Sequence, residues 1–425
     1  MPTRNIFIIV GCLIVSLVCY SEFHKNRYSD TIAEAMTIIE TQALKKLSRR
    51  ELFRAAMKGM VAQIDEHSAF IDGKENVSEF RESLDQEFGG IGIIVENNEK
   101  TGLTVVTPLP ETPASRAGMQ PGDVIIAVNK QLTKELTRDE SIKLIKGPVG
   151  ESVNIEFVHR DKSDPISADM VREIVEIPSV EGDFRDASLQ WTFRIESEPS
   201  IGYVRLSTFG EKSEKEMSQA LATIRGKVDG LILDLRENPG GLLDTAIKLA
   251  DKFIDDGTIV ETRRRDGQVE DRYVASEQLE FEKNIPMVVL INGRSASASE
   301  IVAACLQDHG RAIVCGERSW GKGTVQNVIS MENRKSILKI TTSSYWRPSG
   351  KNIHRGEKAS PEDEWGVVPS PGFEVSMTPE KTFDVLRYRN YRDRLNIGGS
   401  VEQELEKVVD VQLQKAVAYL KSLKK

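Results

Sequence analysis

The chain has 425 residues, 39% hydrophobic and 29% charged, with a formal net charge of −8. That length allows roughly two or three domains and a sizeable core, and the acidic balance gives no reason to expect nucleic acid as a partner. Four cysteines in a chain of this size exclude a disulfide framework, and their spacing holds no metal motif.

Arg4 precedes a 15-residue apolar run over residues 6–20. The run is short of the ~20 residues a spanning helix prefers and at the long end of a signal sequence's ~7–15. No small-x-small cleavage site follows, since Val18-Cys19-Tyr20-Ser21-Glu22 has the wrong residues. Residues 1–28 are therefore expected to be an uncleaved signal anchor, with Lys25 and Arg27 at the far side of the membrane. The body would then lie in the cell envelope, on the extracytoplasmic side. Residues 29–85 read as a helical segment. Ile32, Met36, Ile39, Ala43 and Leu47 mark one apolar stripe, and Leu52, Phe53, Ala56, Met57, Met60, Val61 and Ile64 the next. Such faces suit a cap on the core or a contact between copies of the chain, so a homo-oligomer is among the expectations.

Residues 86–162 read as a separate small domain. Strand patterns fall at 91–96, 103–106, 124–129 and 153–159, and a helix fits 138–145. Phe88-Gly89-Gly90-Ile91-Gly92-Ile93, Pro113-Ala114-Ser115-Arg116-Ala117-Gly118 and Pro121-Gly122-Asp123-Val124-Ile125, in that order, resemble a PDZ domain. A glycine-rich loop exposes successive backbone N–H groups that can hold a terminal carboxylate, while the adjoining strand edge pairs with the peptide. Gly89, Gly90, Ile91, Gly92 and Ile93 would hold the tail, and Lys146 would add a cation nearby.

Residues 163–372 carry an α/β pattern. Strands are expected at 201–206 and 230–235, and helices at 213–224 and 242–253. Between the second strand and the second helix lies the turn Arg236-Glu237-Asn238-Pro239-Gly240-Gly241. The near-continuous apolar character of 230–235 is that of a buried central strand. Arg263-Arg264-Arg265-Asp266-Gly267 reads as a solvated hairpin turn. Residues 373–425 form a C-terminal extension, with a helix expected over 401–423. Cys305 and Cys315 are read as small buried hydrophobes.

The stretch 287–326 carries the chemistry. An apolar strand leads into Asn292-Gly293-Arg294-Ser295-Ala296-Ser297-Ala298-Ser299-Glu300 and a helix. A second short strand leads into Gly316-Glu317-Arg318-Ser319-Trp320-Gly321-Lys322-Gly323. A serine hydroxyl is a weak nucleophile until a base takes its proton. Of the five histidines, none is partnered with a serine in a tight turn. His309 directly follows Asp308, so those two side chains diverge. A lysine serves instead if burial moves its pKa from ~10.4 toward ~7. The reading is Ser297 as nucleophile and Lys322 as base, with the backbone N–H of Ala298 and of Gly240 or Gly241 facing the oxyanion. Ser336 with Lys339 lies on a strand and points to opposite faces, and Ser422 with Lys425 is terminal. Ser319 with Lys322 would need a helix that the flanking glycines oppose. A phosphate-binding loop is also suggested by Gly316 to Lys322, but Gly323 stands where a metal-binding Ser or Thr is required.

These residues closely resemble the C-terminal processing (tail-specific) peptidases, Ser–Lys proteases with an inserted PDZ domain. Lys322 follows Ser297 by 25 positions, the family's spacing, which selects Ser297 over Ser295 and Ser299. The resemblance implies that Gln326 orients the lysine, and that Asp308 matches a motif acid of some members, although capping of a helix end is the preferred reading of Asp308. Met57-Lys58-Gly59-Met60, Asp65-Glu66-His67-Ser68 and Tyr345-Trp346-Arg347-Pro348-Ser349-Gly350 also match. Glu66 and Ser370 depart from the family's usual proline and aspartate. The implied protein has a crotonase-like α/β core and an inserted PDZ domain, and it needs no metal or cofactor. It would be a serine endopeptidase that captures apolar C-terminal tails of protein substrates. The rival reading is a silent PDZ scaffold that only captures them.

Overall fold

The computed structural model describes residues 27–424, apart from 99–101, 110, 161, 187–189, 357, 361 and 394–407. They divide into two compact units, one made of described residues up to 77 with 326–341 and the other of described residues in 78–325 and from 342 on.

The smaller unit begins with the helices Arg27–Gln42 and Arg49–Val61. Ser48 opens the second. Its backbone N–H donates to Glu51 Oε2 at 2.7 Å while its hydroxyl accepts from the Glu51 N–H, the reciprocal cap that Ser-x-x-Glu builds. The expected stripes fall on these helices only in part, since Ala43, Leu47 and Ile64 lie beyond them; the first helix buries none of its residues, and Ile32, Ile38 and Ile39 stand exposed. The strand Ala69–Asp72 pairs antiparallel with residues 336–339, the head of the strand Ser336–Trp346. The expected anchor lies outside the described residues as far as residue 26. Among the described residues no helix is long and apolar enough to cross a membrane.

In the larger unit, the PDZ-like segment is an antiparallel sheet. Its strands run in the order Ile93–Asn98, Gly102–Pro108, Val124–Val128, Ser152–Val158 and Ile166–Val171, with the helix Arg138–Ile145 as expected. Val153, Ile155 and Phe157 alternate inward along one strand, the period of a half-buried sheet. They join Ile91, Leu103, Val105 and Ile125 in one core. The sheet runs past the expected boundary at 162, because 166–171 pairs with 152–157. The strand expected over 91–96 is broken at Gly92, whose φ of +75° only glycine adopts freely. Before the break, Glu87–Gly90 pairs instead with Glu173–Glu176.

The remainder is a parallel sheet built from Glu198–Leu206, Gly230–Asp234, Met287–Ile291 and Ala312–Gly316. Gly230–Asp234 and Met287–Ile291 are buried at every position, which their unbroken apolar runs require of strands covered on both faces. Leu231, Leu233, Val289 and Ile291 pack against the helices Ser213–Ile224, Leu243–Asp251 and Ala298–Asp308. Ile232, Val288 and Leu290 face the other way, onto Ala416 and Leu420 of the helix Val411–Ser422. Of the helix expected over 401–423, residues 401–407 lie outside the description and 408–410 are not helical, because Asp410 caps the helix and starts it at Val411. Cys305 and Cys315 are buried free thiols. The tri-arginine turn is indeed a hairpin, joining Thr258–Arg263 to Val269–Val274. The helix Pro379–Asp393 was not expected. It is held by ion pairs: Arg389 reaches Asp234 and Asp410, each at 2.8 Å, and Arg392 reaches Asp183 at 3.1 Å. The loops that follow three of the parallel strands, 235–242, 292–297 and 317–323, leave the carboxyl edge of the sheet, where open α/β sheets bind ligands.

Candidate active site

Ser297 sits between the strand Met287–Ile291 and the helix Ala298–Asp308, at φ 56° and ψ −114°. A side-chain-bearing residue held there costs about 1–3 kcal/mol and persists only when its surroundings over-determine it. The neighbouring serines do this. The Ser295 hydroxyl donates to Leu235 O at 2.8 Å and accepts from Asn292 N at 3.0 Å; the Ser299 hydroxyl donates to Asn238 O at 2.9 Å. The Ala296 N–H donates to Asn238 O at 3.0 Å. Two of the three serines in Ser-x-Ser-x-Ser thus spend their hydroxyls bracing the turn that presents the third.

The lysine loop reaches the same place through glycines. Gly316 has φ +123°, and a Cβ there would lie 2.1 Å from Ile291 O; a Cβ on Gly323 would lie 2.2 Å from His354 N. The loop is tied down by one buried carboxylate. Glu300 Oε2 accepts the backbone N–H of Ser297 and of Lys322, each at 2.8 Å, and Oε1 accepts the Gly321 N–H at 2.6 Å and the Ser319 hydroxyl. The chains carrying Ser297 and Lys322 therefore meet on a single oxygen. Burial pushes the Glu300 carboxyl up to about 7, against the four hydrogen bonds that favour its charged form. The Lys322 side chain is half-buried.

The third loop brings Gly240 against the serine. A Cβ on Gly240 would lie 2.8 Å from Ser297 Cβ and 2.9 Å from Ala298 N. Its own N–H donates to Asn238 Oδ1 at 2.9 Å, so in this conformation Gly240 does not offer the oxyanion donor expected of it. Asparagine side chains capture a backbone N–H two residues on in this way. Gly241 and Ala298 keep that expectation open, because among the described residues neither N–H has a hydrogen-bond partner.

Asp308 does not cap its helix. A carboxylate at a helix C-terminus faces the negative end of the dipole, and here it turns outward to Arg347. Nε donates to one oxygen at 2.9 Å and the guanidinium's other arm to the second at 2.6 Å, with Ser349 N at 3.0 Å. Burial works against the charged carboxyl, but the arginine outweighs it and the net shift is downward. Gln326 lies on the strand Thr324–Met331, where its Nε2 donates to Thr341 Oγ1 at 3.2 Å.

Of the residues expected to hold a tail, Ile91, Gly92, Ile93 and Lys146 line a cavity of about 390 Å³, together with Phe88, Ile142 and Ile145, while Gly89 and Gly90 are not part of its lining. Lys146 Nζ stands 4.0 Å from the centroid of the Phe88 ring. Gly89 and Gly92 are required by close approach. A Cβ on the first would lie 2.0 Å from Gly147 O and on the second 2.3 Å from the Thr112 side chain.

Two residues of the matched motifs were given no role by the sequence: Glu300, the shared acceptor, and Tyr345, which is buried with its backbone N–H donating to Gly323 O at 2.8 Å. The only signal was their presence in strings chosen for other residues.

Comparison with known proteins adds the following. The family described as Peptidase family S41 matches residues 200–362, and the PDZ domain family matches 104–158. The chain is 32% identical, over 98% of its length, to the carboxy-terminal-processing protease of Bartonella bacilliformis, covering 94% of that protein. It is 32% identical over 74% of its length to the carboxyl-terminal-processing protease of Synechocystis sp., covering 72% of it. A solved structure from Bacteroides fragilis assigned to the S41 proteases aligns over 92% of this chain and 97% of that one, at 14% identity and a TM-score of 0.51, a likeness of fold.

Proposed function

The chain belongs to peptidase family S41 and is a serine-type, carboxy-terminal-processing peptidase with a PDZ domain, and from that premise we propose that Ser297 is its nucleophile and Lys322 the base that activates it. The observation that carries the reading is the meeting of the Ser297 and Lys322 backbone N–H groups on Glu300 Oε2. A neutral lysine amine takes the serine proton as Oγ attacks the scissile carbonyl. The Ala298 N–H, with Gly241 beside it, receives the oxyanion. An acyl-enzyme forms and water resolves it. Gln326, four residues past the lysine, orients the amine.

Substrates are proteins whose apolar C-terminal residues enter the groove lined by Ile91, Ile93 and Ile142. The tail adds to the edge of the strand Ile93–Asn98, and its carboxylate meets the N–H groups of the Gly89–Ile93 loop and the Lys146 ammonium. Cleavage falls upstream. The chain works in the cell envelope, held to the membrane by residues 6–20. Support for this is the 15-residue apolar run behind Arg4, and release of a chain lacking residues 1–26 from the membrane fraction is the expected result.

The deciding experiment incubates the protein and its Ser297→Ala and Lys322→Ala variants with an unfolded protein ending in apolar residues. Loss of substrate with the native protein alone is expected. Equal cleavage by all three, or by none, sinks the assignment and leaves a tail-capturing scaffold.

A further inference from the structure

Ser319, in the lysine loop, is 2% exposed, and its hydroxyl is committed on both sides. It donates to Glu300 Oε1 and accepts the Val367 N–H at 2.7 Å. The Ser319 backbone N–H donates to Val367 O at 3.1 Å, so the two residues pair twice and the hydroxyl proton is left for the carboxylate. Gly366 lets its segment come this close. It has φ +60°, and a Cβ there would lie 2.8 Å from Ser319 Oγ. The next residue along the loop, Trp320, donates its N–H to Ser295 O at 2.9 Å, which ties the same turn to the serine loop. Ser295 and Ser299 spend their hydroxyl protons on backbone carbonyls. Ser319 spends its own on the carboxylate whose other oxygen gathers the Ser297 and Lys322 N–H groups. A hydrogen bond to an ionised acceptor is roughly twice as strong as one between neutral groups.

We propose that Ser319 is a positioning residue for the Ser297–Lys322 pair, its hydroxyl holding Glu300 in the charged form that receives both backbones on one oxygen. The proposal rests on the assignment of Ser297 and Lys322. Glu300 is met by three backbone N–H groups and one hydroxyl, all of them donors. A proton added to the carboxyl brings a hydrogen to a place where every partner already offers one, so a bond is lost and the two loops part. Burial favours the neutral acid, and of the four bonds that oppose it the one from Ser319 acts most strongly. The fold therefore tolerates the proton, but the meeting of the loops does not. The ionisable side chains on the segments packed around Glu300 are Glu317, Arg318 and Lys322 of its partner loop, Arg236 and Glu237, Arg294, Asp308 on its own helix, Tyr345, and His354 with Arg355. The acids among them are bonded elsewhere: Glu317 to the Met377 N–H, Glu237 to Asn292 and Arg294, and Asp308 to Arg347. The carboxyl that answers to Ser319 is Glu300.

The test measures kcat and KM from pH 5 to pH 9 for the full chain, Ser319→Ala, Ser319→Cys and Ser297→Ala, with an unfolded protein ending in apolar residues as substrate. Ser319→Ala is expected to lower kcat by up to about 10²-fold, the scale of misplacing reacting groups by about 1 Å, with KM unchanged. Losing a bond that favours the charged carboxyl raises its pKa, so the acid limb of kcat is expected to move to higher pH by about one unit. A brace without a titrating partner would leave that limb in place. An unchanged kcat, a loss confined to KM, or a lower kcat with an unmoved acid limb overturns the proposal. A folded but wholly inactive Ser319→Ala overturns it as well, since that is the loss of a nucleophile. If Ser319→Ala fails to fold, Ser319→Cys decides, because its thiol keeps a weak donor at the same position. A lowered kcat and an acid limb moved upward are then expected, and a native profile overturns the proposal. An active Ser297→Ala removes the premise and the proposal together. An inactive Ser297→Ala beside a native-like Ser319→Ala overturns the role of Ser319 alone.

Discussion

The Ser297 turn and the Gly89–Ile93 loop are the two places proposed to meet the substrate, yet they are finished in opposite ways. Around Ser297 the polar side chains of its neighbours are spent. Ser295 and Ser299 bond to carbonyls of the 235–242 loop, Asn238 holds the Gly240 N–H within that loop, and Glu300 joins the backbones of Ser297 and Lys322. Around the tail loop the walls are isoleucines and a phenylalanine facing a cavity of about 390 Å³, with Ile94 of the edge strand exposed. A reaction needs its atoms fixed to a fraction of an ångström, and a strained residue stays put only if its partners leave it no alternative. A tail reader needs apolar area without direction, because apolar burial is non-directional. Changes at the first site should therefore strike stability and kcat, and changes at the second should strike KM.

The sharpest way to break that contrast is Glu300→Ala. It leaves three backbone N–H groups and a hydroxyl facing each other in a fully buried space. Removing one partner from a buried charged network costs about 3–5 kcal/mol. Denaturant unfolding should register a loss of that order, and peptidase activity should vanish with it. Survival of both would mean that the lysine loop is held by something else.

Protonation reaches the same carboxylate more gently. The Glu300 carboxyl is raised from 4.5 to about 7 in the folded chain, so between those values the folded state keeps a proton that the unfolded state has lost. Its contribution is complete below pH 4.5 and disappears as pH rises through about 7, on the order of 3 kcal/mol across that window. Asp72 and Asp308, shifted downward, run in the opposite sense and lose their contribution as pH falls. The readout is therefore a difference. The stability of the native chain minus that of Glu300→Gln should decline from pH 5 to pH 8, and a flat difference would remove Glu300 as the titrating group.

Gly240→Ala probes the third loop at a smaller energetic scale. The residue has φ +100°, and the new methyl would fall 2.7 Å from Ala296 O and 2.8 Å from Ser297 Cβ. About 1–3 kcal/mol of strain and overpacking is expected, with the fold retained. The larger consequence is kinetic: the serine is displaced from its neighbours, and kcat should fall far more than KM rises. The same substitution at Gly293, which has no atom within 4 Å of its added Cβ, should leave kcat near native and so serves as the control.

Much of this was legible from residue order, and what was hidden has a common cause. The helices Arg138–Ile145 and Ser213–Ile224 sit where their periodicity put them. The strands Gly230–Asp234 and Met287–Ile291 announced themselves by being apolar throughout. Periodicity reports a face turned to an apolar core. It cannot report the helix Pro379–Asp393, which is pinned by Arg389 to Asp234 and Asp410 and, among its described side chains, places only Val385 in the buried apolar core. Nor can spacing along the chain show which side chain spends which N–H. Asn238 taking the Gly240 donor, Arg347 turning Asp308 away from its helix end, and Glu300 joining the backbones of Ser297 and Lys322, 25 residues apart, are all consequences of the fold.

Lys146 should give the smallest effect, and for that reason the cleanest division between the two sites. Its ammonium lies over the Phe88 ring at 4.0 Å, beside the loop expected to receive the tail's carboxylate. A half-exposed cation–carboxylate contact contributes about 0.2–1 kcal/mol, and the cation–π contact it leaves or keeps is of similar size at an exposed site. Lys146→Met keeps the apolar stem, so it should raise KM by no more than about 5-fold, the upper end of that energy range, and leave kcat untouched. Amidating the substrate's C-terminus removes the other partner. If the lysine acts through the carboxylate, amidation should weaken binding to the native protein more than binding to Lys146→Met, and the two changes together should cost less than their sum. Equal losses from amidation in both proteins would mean that the backbone N–H groups of the glycine loop hold the carboxylate unaided and that Lys146 is there for the phenylalanine.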